Sequence, residues 1–167
     1  MIWIKITLFA LTIVTVKYIF KFINDYGDKC VNNMKELLDF TDFLRIYSCD
    51  MKLSLEEICL RYHYKSDDVK KVIQIFESEI SHSKNKHSFQ ITLMESLKTP
   101  DTFNKCFSNI LDYYGSTYSD VLDKKLLFTQ REMERSIREF ESLHIEKKNL
   151  NNRISVLVGC LAAVILI

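Results

Sequence analysis

The sequence has very little glycine and proline, with 3 glycines and 1 proline in 167 residues. These two residues form most of the tight turns and bulges that sheets require, so their scarcity argues against an all-β or α/β fold. Helices need few of either residue in their interior. The composition therefore predicts an all-α protein, and its 47% hydrophobic residues are enough for one domain with a buried core.

Recognisable site motifs are also missing. The five cysteines are widely separated and include no C-x-x-C pair, a pattern that favours reduced thiols over a disulfide framework or a structural zinc site. The sequence contains no P-loop, no nucleophile elbow and no zinc-protease signature. We therefore expect no catalytic residue, no cofactor and no bound metal.

Charge is missing from both ends of the chain. All 22 acidic residues lie between Asp25 and Glu146, and residues 6–16 and 154–167 carry no charged side chain. The middle of the chain holds slightly more acidic than basic residues and shows no basic stripe. A nucleic-acid partner is therefore not expected.

The uncharged ends predict two transmembrane helices, at residues 1–23 and 151–167. The C-terminal run is apolar on all sides, whereas a core helix of a soluble protein is usually amphipathic. The run is short, roughly 21 Å of helix, so a buried core helix is the alternative and a span would be thin or tilted. No small-residue cleavage site follows the first run, which favours a retained span over a signal peptide.

The residues around these runs are typical of membrane boundaries and of helix pairs in membranes. Basic and aromatic side chains lie at the interface, and small residues let two helices approach closely. The predicted anchors and packing residues are Trp3, Lys17, Tyr18, Lys21, Arg153, Gly159, Ala162 and Ala163. Because basic residues follow the first span and precede the second, the positive-inside rule places residues 24–150 in the cytoplasm.

Residues 24–150 show apolar side chains at every third or fourth position, the period of amphipathic helices. We expect six helical segments, arranged as a cytosolic six-helix antiparallel bundle between the two spans. The boundary signals are a capping box at Ser54–Glu57, a helix start at Ser66, a polar loop over residues 81–88, one helix over residues 100–114, and a left-handed helix end at Gly115.

Two carboxylate–imidazole pairs have the E-x-x-H spacing of di-iron helix bundles, Glu79 with His82 and Glu141 with His144. Such a centre also needs a glutamate from each of two further helices, and the short string occurs readily by chance. A membrane-tethered di-metal enzyme is therefore the alternative hypothesis, and surface or boundary histidines are the simpler interpretation.

Residues 131–141 alternate acidic and basic side chains at helical spacing. This pattern is typical of a solvated helix face with i,i+4 pairs, and it also suits an adaptor surface for a cytosolic partner. On the second interpretation, the candidate partner-contact residues are Arg131, Glu134, Arg135, Arg138 and Glu139.

The order of these parts resembles the stage III sporulation protein AB family of endospore-forming bacteria. The resemblance covers essentially the whole chain. It is strongest at Leu111-Asp-Tyr-Tyr-Gly115, at Ile137-Arg-Glu-Phe-Glu141 and in the apolar segment over residues 154–167. The sequence departs from the family at Met51-Lys52, where a threonine-proline is common, and after Gly115, where a second glycine is absent. These departures affect turn geometry and leave the layout unchanged.

The resemblance implies a non-catalytic platform component of the secretion-like channel complex between mother cell and forespore, required for sporulation. The head would be similar to the helical domains of inner-membrane platform proteins in type II secretion and type IV pili. The implied partners are a stage III sporulation protein AA-type ATPase, other membrane proteins of the complex and the lipid bilayer, with self-association left open. The implied location is the outer forespore membrane on the mother-cell side, with the head in the cytoplasm. A generic membrane-anchored scaffold is a further alternative.

Overall fold

The computed structural model describes the backbone of residues 2–82 and 85–166, and their side chains except those of residues 2, 4, 5, 82, 163, 165 and 166. All regular structure in this part of the chain is helical, which confirms the predicted fold class. The elements are α1 (Ile2–Arg45), a π-helical turn (Ile46–Asp50), α2 (Leu55–Arg61), α3 (Asp67–His82), α4 (Lys86–Leu97), α5 (Asp101–Ser108), α6 (Ile110–Tyr113) and α7 (Ser119–Leu166).

The chain divides into two compact units. The terminal unit consists of Met1–Lys29 and Glu141–Ile167, and the central unit consists of Cys30–Phe140. The first and last helices are long enough to contribute to both units. The predicted spans at residues 1–23 and 151–167 both belong to the terminal unit.

The central unit has a hydrophobic core rich in phenylalanine. Its fully buried aromatic side chains are Phe40, Phe76, Phe89, Phe103 and Phe107. The ring of Phe76 lies 5.7 Å from that of Phe89 and 5.3 Å from that of Phe107, which joins α3 to α4 and α5. Fully burying one such side chain contributes about 1.5–3 kcal/mol. The helical period predicted the faces that bury Phe76, Phe89, Phe103 and Phe107, but it did not predict the burial of Phe40.

Several predicted helix boundaries are confirmed. The Ser54 side chain accepts a hydrogen bond of 3.3 Å from the backbone N–H of Glu57, at the start of α2. The third helix begins directly after Ser66. Gly115 has φ of +74°, the left-handed conformation expected of a glycine at a helix end.

The start of α3 also receives a hydrogen-bond acceptor from a distant part of the sequence. Glu36 lies on α1 and is 3% exposed. Its Oε1 accepts hydrogen bonds of 2.6 Å from the backbone N–H of Lys65 and 3.2 Å from that of Ser66. A carboxylate is well placed there because a helix start presents unpaired N–H groups. The local sequence around Ser66 gives no sign of this contribution.

The predicted loop over residues 81–88 is wrong in its extent. The third helix continues through His82, and α4 begins at Lys86. The reason is local capping: the Asn85 side chain accepts a hydrogen bond of 3.1 Å from the backbone N–H of Ser88, so the polar segment itself starts a helix. A run of polar residues was therefore a poor guide to where the helix begins.

The predicted single helix over residues 100–114 is interrupted at Asn109, which separates α5 from α6. The buried Ser108 hydroxyl donates a hydrogen bond of 3.1 Å to the backbone carbonyl of Lys105 and accepts one of 2.8 Å from Gln90 Nε2. A serine side chain that bonds the helix backbone competes with the regular helical ladder. The break follows directly after this residue.

Candidate functional site

Within the terminal unit, α1 and α7 run side by side in opposite directions. Residues early in α1 contact residues late in α7, and later residues of α1 contact earlier residues of α7. Ile13 packs against Gly159, Asn24 hydrogen-bonds Asn151 over 3.0 Å, and Asp28 lies 2.8 Å from His144. Since the residue number falls in one helix as it rises in the other, this is an antiparallel helix pair.

The α7 side of the pair consists mainly of small and polar residues. Its less exposed positions recur every three or four residues, and among the described side chains they are Glu141, His144, Lys148, Asn151, Ile154, Ser155, Gly159 and Ala162. Ser155 is 4% exposed, and its hydroxyl donates a hydrogen bond of 2.9 Å to the backbone carbonyl of Asn152. A helix face of this kind allows a neighbouring helix to approach closely.

The α1 side of the pair is bulkier. Its less exposed positions also follow the helical period, and among the described side chains they are Phe9, Thr12, Ile13, Val16, Phe20, Asn24, Gly27 and Asp28. A Cβ atom built on Gly159 would lie 3.4 Å from the Ile13 Cα, so the two backbones are nearly in contact at this level. Large residues of α1 therefore fit against small residues of α7.

Apolar side chains point away from this contact. On α1, Leu11 and Phe22 are 68% and 69% exposed, and on α7, Leu157 and Leu161 are 66% and 63% exposed. The other exposed large hydrophobic residues of the unit are Trp3, Ile6, Leu8, Val14, Tyr18, Ile19, Ile23, Tyr26, Leu143, Ile145, Leu150, Val156, Val158 and Val164. A helix pair in water normally buries such residues between its helices. This pair partly buries Phe9, Ile13 and Phe20 but leaves most of its large apolar residues exposed, an arrangement that suits helices surrounded by lipid.

Among the described residues, one helix is long and apolar enough to cross a membrane, with its window in Ile6–Asp50. That window has a mean hydropathy of 1.8, and none of it is buried. It is therefore not the buried core helix of a soluble domain, although an N-terminal signal sequence would meet the same length and composition test. The span at residues 151–167 stays a prediction.

A polar cluster lies between the two helices of the terminal unit, next to the charged middle of the chain. Asp28 is the centre of this cluster, with His144 Nε2 at 2.8 Å from one carboxylate oxygen and Lys148 Nζ at 2.6 Å from the other. One turn away, the Asn24 side chain accepts a hydrogen bond of 3.0 Å from Asn151 Nδ2 and donates one of 3.3 Å to Asn152 Oδ1. Polar contacts of this kind fix the register of the two helices.

Electrostatics and close packing both hold the Asp28 cluster. Hydrogen bonds from Lys148 and then from His144 lower the pKa of the Asp28 carboxyl below its usual range, against a smaller opposing effect of burial. The His144 ring lies directly over Gly27, since a Cβ at Gly27 would come within 2.9 Å of its Nε2 and closer still to its other ring atoms. Only glycine leaves room for the ring there.

No sequence pattern indicated a role for Asn24, Gly27 or Asp28, and Lys148 was indicated only as one of the basic residues before the second predicted span. Each is an ordinary surface residue in the local pattern of its own helix. Their significance depends on knowing that α1 and α7 pair in this register, and a single sequence contains no direct signal for that pairing.

The predicted anchor residues lie on the outer surface of the terminal unit. Trp3 and Tyr18 are 80% and 71% exposed, and Lys17, Lys21 and Arg153 are also exposed. The predicted packing residues Gly159 and Ala162 lie on the face of α7 that meets α1. The Ala163 side chain lies outside the described residues.

The five candidate partner-contact residues are all exposed on α7, in the central unit. Arg135 Nε lies 3.0 Å from Glu139 Oε1, and Arg138 lies 3.7 Å from Glu134, so the expected i,i+4 pairs form. Exposed pairs of this type contribute only about 0.3–0.5 kcal/mol each, and a partner could replace them at little cost. Both interpretations of this face, solvated surface and partner surface, therefore stay open.

The two E-x-x-H pairs do not form a metal cluster in the part of the chain that the structure describes. No group of three or more His, Cys, Asp or Glu side chains there is arranged to hold a metal ion. His144 is instead engaged by Asp28, and the His82 side chain lies outside the described residues. The described geometry therefore gives the di-metal hypothesis no support.

No family model, no curated protein and no solved structure matches this chain. We therefore argue its function from the geometry of the two units and from the resemblance in its sequence.

Proposed function

We propose that this protein is a non-catalytic, membrane-anchored helical adaptor. The observation that carries the proposal is the helix pair of the terminal unit, in which a mainly small and polar face of α7 packs on α1 while many large apolar residues of both helices remain exposed on the outer surface. Each large apolar side chain loses roughly 1.5–3 kcal/mol of favourable transfer free energy while it stays in water. A lipid bilayer accommodates those that lie within residues 1–23 and 151–167, with Lys17, Lys21 and Arg153 extending to the headgroups.

The resemblance of the sequence makes a more specific proposal possible. We propose that the chain is a platform component of the mother cell–forespore channel complex, with its central unit in the cytoplasm. In this role it couples a stage III sporulation protein AA-type ATPase to the membrane proteins of the complex. Support comes from the order of parts along the sequence and from the exposed, alternating charges on α7.

The anchor is tested by alkaline extraction of membranes that contain the full-length protein. An integral helix pair stays in the membrane pellet at about pH 11, because the treatment removes proteins held by charge and leaves those held by apolar burial. Release of the protein into the supernatant would contradict the proposal. Extraction by a mild detergent, with retention of helical circular dichroism, is the matching positive result.

The partner surface is tested by charge reversal on α7. The variant Arg131→Glu/Arg135→Glu should weaken co-purification with the ATPase at least several-fold, because rim charges select partners by complementarity. Arg61→Glu is the matched control, since Arg61 forms the same kind of exposed i,i+4 pair with Glu57 on α2. Equal recovery of the ATPase with all three proteins would remove the α7 face from the proposal while leaving the anchor intact.

A further inference from the structure

A groove lies on the central unit between the α5–α6 segment and the first turns of α7. Its volume is about 590 Å³, and Cys106, Tyr113 and Thr129 lie along it. The Tyr113 hydroxyl and Thr129 Oγ1 are 2.6 Å apart, so the polar atoms at this point satisfy each other. The bottom of the groove therefore offers mainly apolar surface.

Two large apolar residues of α7 are exposed along the groove. Val121 is 44% exposed and Phe128 is 64% exposed. Because they are seven residues apart, they lie on the same face of the helix, two turns and about 10 Å from each other. The groove is thus elongated along α7, and an extended apolar partner suits it better than a compact ligand.

Positive charge lies between these two apolar residues. Lys125 Nζ lies 5.2 Å from the centre of the Tyr113 ring, and Lys124 forms no ion pair among the described residues. Two carboxylates also line the groove: that of Asp112 is already engaged, at 2.6 Å from Lys86, and that of Glu132 lies one turn beyond Phe128 on α7. The two lysines therefore remain available to an acidic group outside the chain.

We propose that this groove binds an amphipathic helix of a partner protein, which inserts two apolar side chains beside Val121 and Phe128 and places acidic residues against Lys124 and Lys125. The charge on the groove decides in favour of an acidic partner segment, and the two-turn spacing decides in favour of a helix. Glu132 lines the groove, and Arg135 and Glu139 lie seven residues beyond Phe128 and Glu132, so this surface adjoins the Arg131–Glu139 face along α7. The inference does not depend on the proposed membrane anchor.

The experiment measures the binding of two designed peptides to the full-length protein in detergent by fluorescence anisotropy. Both peptides are helical and carry leucines spaced one and two turns apart. The glutamate peptide has glutamates beside the leucines, and the lysine peptide has lysines at the same positions. We expect the glutamate peptide to bind wild type at least tenfold more tightly. Lys124→Glu/Lys125→Glu should reverse this preference, because the same positions then attract the lysine peptide.

Further variants separate groove binding from general attraction of charge. Phe128→Ala should weaken the glutamate peptide at least tenfold, whereas Tyr118→Ala, at a residue that is 88% exposed and does not line the groove, should leave it unchanged. Arg61→Glu, at an exposed arginine of α2 that does not line the groove, should also leave peptide binding unchanged. Equal binding of both peptides to wild type, or no effect of Phe128→Ala in a protein with unaltered thermal unfolding, would overturn the proposal.

Discussion

Gly27 shows how much one residue contributes to the Asp28 cluster. Because it lacks a side chain, the His144 ring can lie against the α1 backbone with its Nε2 directed at Asp28. The sequence predicts the role of Gly115, since a glycine after an apolar helix favours a left-handed helix end. It does not predict the role of Gly27, because a glycine inside a helix becomes necessary only when a neighbouring helix approaches it closely.

The Gly27→Ala variant should be less stable than wild type by about 1–3 kcal/mol, the usual cost of overfilling a packed site. The reason is the overlap between the new Cβ and the His144 ring. Urea unfolding in detergent, followed by circular dichroism, measures the difference. In a His144→Ala background the same change should stabilise the protein by up to about 1 kcal/mol, because alanine favours helix over glycine. The same loss in both backgrounds would contradict the proposed packing.

Asp28 should make the stability of the terminal unit depend on pH. Its pKa is lowered in the folded protein, because Lys148 and then His144 hydrogen-bond its charged form. Its contribution is therefore complete above the ordinary pKa of about 4 and is lost as the pH falls through the lower folded value. Asp28→Asn should be less stable than wild type near pH 6, and the difference should disappear toward about pH 2.

The measurement is thermal unfolding in detergent across this pH range. Asp25→Asn is the matched control, since Asp25 lies one turn earlier on α1 and forms no ion pair among the described residues. A constant difference between wild type and Asp28→Asn at every pH would show that the charge of Asp28 is not what stabilises the helix pair.

At the scale of helices, sequence periodicity predicted well which segments are helical. It did not predict which helices pack against each other. Four core phenylalanines of α3, α4 and α5 lie on the apolar faces that the three-and-four spacing indicated, whereas the buried Phe40 of α1 was not predicted. The predicted loop between α3 and α4 was too long, because Asn85 caps the start of α4 inside a polar run. The register of α1 against α7 was not predicted, since it depends on contacts more than 100 residues apart, such as that of Asp28 with His144.

The close approach of α1 and α7 gives a prediction for Gly159. Leucine at this position should destabilise the protein by about 1–3 kcal/mol, because its side chain would enter the space that the Ile13 backbone occupies. Val158→Leu is the matched control, since its neighbouring side chain is 41% exposed and points away from the pair. The stabilities of the two variants are compared by unfolding in mixed micelles with an increasing fraction of a denaturing detergent. Equal stability of the two variants would contradict the role of Gly159.

For the whole molecule, the proposal places the central unit in the cytoplasm and the outer surface of the terminal unit in lipid. Cysteine labelling tests this arrangement, because the accessible native cysteines can be replaced and the buried ones react little. Cys49, Cys106 and Cys160 are replaced by serine, while Cys30 and Cys59 are retained. Burial raises the pKa of Cys30 to about 11 and that of Cys59 to about 12, so neither supplies much reactive thiolate near pH 7.

Two reporter positions then give opposite expectations. A cysteine at Ser88 in the central unit should react with a membrane-impermeant maleimide only after the cells are opened. A cysteine at Leu161, 63% exposed on α7, should stay unreactive in opened cells and react after detergent is added. Labelling of Leu161→Cys in opened cells without detergent would contradict the membrane assignment, and labelling of Ser88→Cys in intact cells would contradict the cytoplasmic one.

The long-range hydrogen bonds of Glu36 affect how the central unit acquires its structure. The N–H groups of Lys65 and Ser66, directly before α3, have this acceptor only when α1 is docked beside them. A peptide that contained residues 65–82 alone would lack the acceptor, and we expect the entry to its helix to be less ordered than in the whole protein. The segment that leads into the third helix thus depends on a side chain 30 positions earlier in the chain.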